Sequence, residues 1–309
     1  MEQIYHNRFY TMGTRMHIIL PGVDEQMGMR IFTHCKHEAE RIERKISRFI
    51  PQSDLSRLNK VAFEKYALVD EEFFDILLAC KEAWHITGGA FDPAAIALYD
   101  DQRRSTGIKP GMIERATPSG METVQLNSEN RTVRFTSPDT RIDLGGFGKG
   151  YALEKIKEYL EAVSIPSAFI SFGGSSVLAI GEHPAGGGWK IGIQDYLNPS
   201  ESLFEFQTTD GSVSTSGNFY INDDGELIPH AHIIDPKTGE LQQDKKTMSV
   251  QSDSPLLSEI MSTALLVADE AVAEKIIELY PGMRAMKAEY TNDQRTITEW
   301  GFCNTGNFS

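Results

Sequence analysis

The run Asp143-Leu-Gly-Gly-Phe-Gly-Lys-Gly150 packs four glycines and a lysine directly ahead of Tyr151–Leu160, whose spacing is helical. A glycine loop feeding a helix N-terminus offers backbone N–H groups and the positive end of the helix dipole to an anion such as phosphate. Glycine permits the approach because no Cβ stands in the way. The spacing matches neither G-x-G-x-x-G nor Walker A, so both standard nucleotide loops are rejected. Asp143 could orient a ligand amide, ribose or ring edge, or act as a helix-entry acid. Lys149 could meet a phosphate or sit in solvent.

Further residues carry usable chemistry. In Ser258-Glu-Ile-Met-Ser-Thr-Ala264, Glu259 and Thr263 are spaced i, i+4, on one helical face. A carboxylate and a hydroxyl there can share one hard cation, or be a dipole-favoured acid and a buried threonine. In His230-Ala-His-Ile-Ile-Asp-Pro-Lys-Thr-Gly239 a strand runs into a turn. His232 has the side chain for a general base near neutral pH, or is structural. Ser214-Thr-Ser-Gly217 sets small hydroxyls before a glycine, and Ser171-Phe-Gly-Gly-Ser175 holds a second glycine pair. Gly88-Gly-Ala-Phe-Asp-Pro93 is a turn able to set a ring and a carboxylate beside a flat ligand.

Those residues need a scaffold, and 309 residues allow a large core. Net charge is −14, from 30 basic and 44 acidic side chains, which disfavours nucleic acid and anionic membranes as main partners. Cys35, Cys80 and Cys303 are too scattered for a disulfide framework or a zinc site. No apolar run reaches the length of a membrane span, and Met1–His6 lacks signal-peptide character. The expected location is cytoplasmic as written, or periplasmic if a leader has been removed.

The spacing predicts a strand at 15–20, an amphipathic helix over 25–46, and turns over 47–59. A helix follows over 70–87, ended by Gly88-Gly89. Short strands are expected within 124–135, 167–180, 189–194, 203–208 and 248–251. One long helix covers 255–280, and the tail forms a hairpin of 284–291 with 296–302. Pro184–Gly188 reads as a hairpin loop. The fold class is α+β with substantial antiparallel sheet, and residues 1–309 form a single compact unit.

In this order the motifs resemble one family, the ApbE-type FAD:protein FMN transferases. The likeness runs from Met12-Gly-Thr14 through Ser47-Arg-Phe49, Ser53–Asn59, Gly89–Pro93, Asp143–Gly150, Gly173-Gly174 and Trp189–Asp195. It continues through Thr215-Ser-Gly217, His232–Gly239 and Glu259–Thr263. The resemblance implies a single ApbE-like, T-fold-related domain with antiparallel sheets and long helices, using FAD and Mg²⁺. The reaction it implies moves FMN from FAD to a Thr or Ser hydroxyl of an acceptor flavoprotein, releasing AMP. Such acceptors include subunits of respiratory electron-transfer complexes. Carried over by motif, Met12, Phe49, Ala90, Phe91, Asp92, Asp143 and Lys149 would line the FAD site. Gly146, through its carbonyl, with Glu259 and Thr263 would hold the metal, and His232 would be the base. A metal-dependent FAD pyrophosphatase and a non-catalytic FAD-binding protein are the alternative readings.

The chain departs from the family pattern in places. Glu259 stands where aspartate is usual, and its extra methylene moves the carboxylate by roughly 1.5 Å. Mg²⁺ demands near-ideal geometry, so weaker binding or a changed metal preference is expected. Ala94–Leu98 replaces a threonine followed by Gly-Pro-Leu, Ile221 replaces an arginine, and Gly174-Ser-Ser176 replaces Gly-Gly-Asn. The sequence as written does not show the usual lipoprotein leader.

Overall fold

Alternation of apolar and polar residues at the N-terminus builds a hairpin of β1 (Ile4–Thr11) and β2 (Thr14–Pro21). Met16, Ile18 and Leu20 point one way and are fully buried, while Arg15 and His17 point the other. Helix α1 (Glu25–Ile46) starts at Asp24, whose carboxylate accepts the Met27 N–H at 2.7 Å. Its stripe of Ile31, Cys35, Ala39, Ile42 and Ile46 is buried in the same core as the inward β2 residues. The computed structural model describes residues 3–95, 120–198, 200–221, 227–229, 234–236, 242, 244–291 and 294–302.

The remaining elements follow in chain order. They are α2 (Asp54–Val61), β3 (Ala67–Leu68), α3 (Glu71–Ile86), a 3₁₀ turn at Met121–Thr123, β4 (Val124–Asn127) and β5 (Thr132–Phe135). Then come α4 (Gly145–Ala162), β6 (Ala168–Phe172), β7 (Ser176–Ile180), β8 (Trp189–Gln194), β9 (Ser202–Thr208) and β10 (Gly211–Gly217). The last are β11 (Phe219–Ile221), β12 (Leu227–Pro229), β13 (Lys245–Ser252), α5 (Pro255–Val267), α6 (Glu270–Leu279), β14 (Arg284–Thr291) and β15 (Gln294–Trp300).

The main sheet has eight antiparallel strands in the order β1-β2-β6-β7-β10-β13-β14-β15. Helices α1, α4 and α5 share a core with one face of it. The β8–β9 hairpin covers the middle of the other face, where Ile191, Ile193 and Phe206 meet Val177, Val213 and Met286. Strand β7 is therefore buried along its whole length. The class is α+β with antiparallel sheets, as the sequence predicts.

Several local expectations change. The turn-rich stretch after Ser47 contains α2, capped by Ser53, whose hydroxyl accepts the Ser56 N–H at 2.9 Å. At eight residues it is too short for its periodicity to stand out. The expected 255–280 helix is two helices. Asp269 breaks it as the N-cap of α6, accepting the Val272 N–H at 2.9 Å. Pro184–Gly188 is a turn, but it joins β7 to β8 in different sheets and closes no hairpin. Residues 136–144, between β5 and α4, form no strand, and the helix begins at Gly145, inside the glycine run.

Candidate functional site

The glycine run is explained first by helix packing. A Cβ at Gly150 would lie 2.5 Å from Glu259 Cβ and 2.8 Å from the Pro255 carbonyl oxygen. A Cβ at Gly146 would lie 3.1 Å from Thr263 Oγ1. These two glycines, one turn apart, let α4 press antiparallel against α5. Gly148 turns elsewhere, toward Ile46 and Met12. Gly146 is also non-helical, with φ −85° and ψ 15°, so the helix bends at its first turn.

This close approach seats Glu259 in the wall of a cavity of about 860 Å³, within the range of small-molecule sites. Gly145, Gly146, Lys149, Glu259 and Thr263 contribute the charged and polar part of the wall. Ala90, Phe91, Asp92 and Asp143 contribute another part, and Tyr196 with Phe219 a third. The Tyr196 and Phe219 rings meet edge to face at 4.6 Å.

Glu259 is only 4% exposed. Its Oε1 accepts from Lys149 Nζ, and its Oε2 accepts from Ser176 Oγ at 2.6 Å and from Ser214 Oγ. Burial pushes the carboxyl upward, but the Lys149 charge and these hydrogen bonds outweigh it and hold the group below the ordinary glutamate value. Glu259 is thus an anion at neutral pH. Thr263 Oγ1 lies 3.3 Å from the Glu259 carbonyl oxygen and 3.2 Å from Ser216 Oγ.

Gly146, Glu259 and Thr263 are brought together, and all three offer oxygen donors. Glu259 Oε1 has one partner among the described residues and keeps a lone pair. An all-oxygen, anionic donor set fits a hard divalent cation. Among the described residues no group of three or more His, Cys, Asp or Glu side chains is placed to hold a metal ion, so any cation here would rest on one carboxylate with neutral oxygens.

Asp143 is the helix-entry acid that its sequence position allowed. It lines the cavity, and its Oδ1 accepts the Gly145 N–H at 2.9 Å at the entry of α4. Its Oδ2 lies 2.8 Å from Arg48 Nε in an ion pair whose N–H is not aimed for a hydrogen bond. Asn59 clamps the preceding residue, donating to the Ile142 carbonyl at 2.8 Å and accepting the Ile142 N–H at 2.9 Å. Asp92 accepts the N–H groups of Ala94 at 2.8 Å and Met121 at 3.1 Å. Ala90 and Phe91 are buried in the wall, at 4% and 3% exposure.

Two predicted FAD-site residues stand apart from the cavity wall. Met12 forms the β1–β2 turn with φ 48°, followed by Gly13 at φ 74°, and packs on the core beside Gly148. Phe49 is 77% exposed, with the Arg48 guanidinium 4.5 Å above its ring. His232 lies outside the described residues, although Ile234 and Pro236, two and four positions later, line the cavity.

The sequence gives no individual role to Arg48, Asn59, Tyr196 or Phe219, and Ser176 enters it only as part of the departure at Gly174-Ser-Ser176. For Ser214 a signal existed, since Ser212, Ser214 and Ser216 alternate along β10 and so share one face. Cys35 and Cys80 are fully buried in the core, where desolvation raises both thiols, Cys35 to about 12.

A family model described as the ApbE family matches residues 12–287. The FAD:protein FMN transferase of Rhodobacter capsulatus is 27% identical over 279 residues, 85% of this chain. The chain spans about half of that relative's length, 51%. A Klebsiella pneumoniae protein of the same description is 25% identical over 86% of this chain and 79% of its own. Among solved structures, the ApbE protein of Thermotoga maritima shares the fold at TM-score 0.81 and 23% identity, over 96% of each chain. The flavin transferase ApbE from Vibrio cholerae does so at 0.78 and 20%, over 97% of each. With the family match covering most of the sequence, the chain belongs to the ApbE family.

Proposed function

We propose that this chain transfers FMN from FAD to a Thr or Ser hydroxyl of an acceptor flavoprotein, with Mg²⁺ and release of AMP. The observation that carries this reading is the cavity itself. It sets an anion-adapted helix entry, a lysine and a buried carboxylate among walls that also present Phe91, Tyr196 and Phe219. FAD has the matching chemistry of two flat ring systems joined by a pyrophosphate. Relatives described as FAD:protein FMN transferases support the same assignment.

Glu259, Thr263 and the Gly146 carbonyl would hold the Mg²⁺, which supplies charge neutralisation and polarises a phosphoryl oxygen. The protein's own groups do the rest. The first turn of α4 carries no acidic residue, Asp143 just before it takes the Gly145 N–H, and the helix dipole would favour the pyrophosphate. Lys149 adds a positive charge at the same wall. The acceptor oxygen attacks the FMN phosphorus. A P–O bond forms, the pyrophosphate P–O bond breaks, and AMP leaves with the bridging electron pair. The hydroxyl proton goes to a base, and His232 is the assigned group, worth roughly 10²–10⁴-fold. Positioning and charge stabilisation supply most of the remaining acceleration.

The test is AMP release from FAD, with and without EDTA, and with and without an acceptor domain. EDTA-sensitive release that depends on the acceptor supports the transferase. Release that ignores the acceptor assigns a pyrophosphatase instead. Bound FAD with no release under any condition assigns a binding protein. His232→Ala is expected to slow transfer with FAD binding retained, and unchanged transfer removes His232 from the mechanism.

A further inference from the structure

The two oxygens of Glu259 have different surroundings. Oε2 accepts two hydroxyl donors, Ser176 and Ser214. Both serines are 1% exposed, and neither lines the cavity. Oε1 is bonded to Lys149, which does line it. The serines are directly opposed across the β7–β10 pairing, with their Oγ atoms 3.2 Å apart. They reach the carboxylate as a preset pair, fixed by sheet register. A glutamate has three side-chain torsions, and without such a clamp its carboxylate could turn either oxygen or both to a ligand.

We propose that Ser176 and Ser214 are positioning residues that make Glu259 a one-oxygen cation ligand, holding Oε2 back and leaving Oε1 for the cavity. This inference rests on the reading of Glu259 as a metal ligand. It also sets selectivity. One-oxygen ligation suits a small octahedral ion such as Mg²⁺ or Mn²⁺, whereas Ca²⁺ accepts carboxylates through both oxygens at longer distance. The serine pair therefore disfavours Ca²⁺.

The test uses the full chain with Mn²⁺ as probe, read by electron paramagnetic resonance, alone and with FAD, and competed by Mg²⁺ and Ca²⁺. Ser176→Ala/Ser214→Ala is expected to weaken Mn²⁺ roughly 10–100-fold, the usual cost of losing a group that orients a metal ligand. Ca²⁺ should gain relative to Mg²⁺ as competitor. Ser176→Thr keeps the hydroxyl and should stay within a few-fold of wild type. Ser176→Ala alone replaces the double variant if the latter does not fold by circular dichroism. Wild-type protein that binds no Mn²⁺ with or without FAD overturns the metal reading beneath the inference. Mn²⁺ binding lost in Glu259→Gln but unchanged in the serine variants overturns the inference and leaves the metal reading standing.

Discussion

Replacing Gly150 by alanine sets two effects of known size against each other. Gly150 lies inside α4 at ordinary negative φ, so helix propensity alone favours alanine by about 1 kcal/mol. Packing opposes it. The new methyl would stand 2.5 Å from Glu259 Cβ, 2.8 Å from the Pro255 oxygen and 3.1 Å from Leu256 Cα. Carbon atoms normally approach to about 3.5–4.0 Å. Two of the three neighbours are backbone, so no side-chain rotation relieves the overlap, and α5 must retreat by about 1 Å. Overpacking of this kind costs roughly 1–3 kcal/mol, and retreat also loosens the seat of Glu259. We expect a net loss of up to about 2 kcal/mol and, at about 2.1 cal/mol/K of unfolding entropy per residue, a fall in Tm of up to roughly 3 °C, read by thermal unfolding. Gly148→Ala is the control. Its methyl meets chiefly the tip of Ile46, at 2.9 Å, and that side chain can yield. A Gly150→Ala protein at or above the wild-type Tm would refute this account of the glycine spacing.

Other outcomes follow from the same geometry. Lys149→Met strands the buried Glu259 anion and should cost about 3–5 kcal/mol in urea unfolding, much of it recovered by adding Glu259→Gln. Additive costs in that cycle would show that the pair is uncoupled. Because the folded Glu259 value lies below its ordinary 4.5, its contribution to stability is complete above about pH 4.5 and is lost as pH falls through the folded value. Glu259→Gln should therefore flatten part of the acid limb of stability against pH, and an unchanged limb would contradict the shift. Glu259→Asp withdraws the carboxylate by roughly 1.5 Å from both serines, so Mn²⁺ binding should weaken. Equal affinity would show that reach is unimportant. Asn59→Ala removes both hydrogen bonds to Ile142 and should cost about 1–3 kcal/mol, with chemical denaturation as the check.

Much of the scaffold was legible because it is written in periodicity. Helix α1 falls on its predicted bounds, since 22 residues give the apolar stripe room to repeat. Helix α2 did not show, and the break at Asp269 was hidden within an otherwise helical pattern. At the site, Asp143, Gly146, Lys149, Glu259 and Thr263, all legible in the sequence, line one cavity. Phe49 was named with them and stands exposed outside it.

The chain alone determined which groups are available and which spacings recur: a carboxylate and hydroxyl one turn apart, glycines one turn apart, and serines at alternate positions. Local geometry is enough for these, because helix and strand periods are properties of the backbone. Tertiary structure decided what the groups meet. Glu259 and Lys149 are 110 positions apart, and Glu259 and Ser176 are 83 apart. Only the register of β7 on β10 and the contact of α4 with α5 bring them together. The same glycines that resemble an anion loop in sequence are needed first as bare surface for a neighbouring helix, and that use depends on a partner more than a hundred residues away.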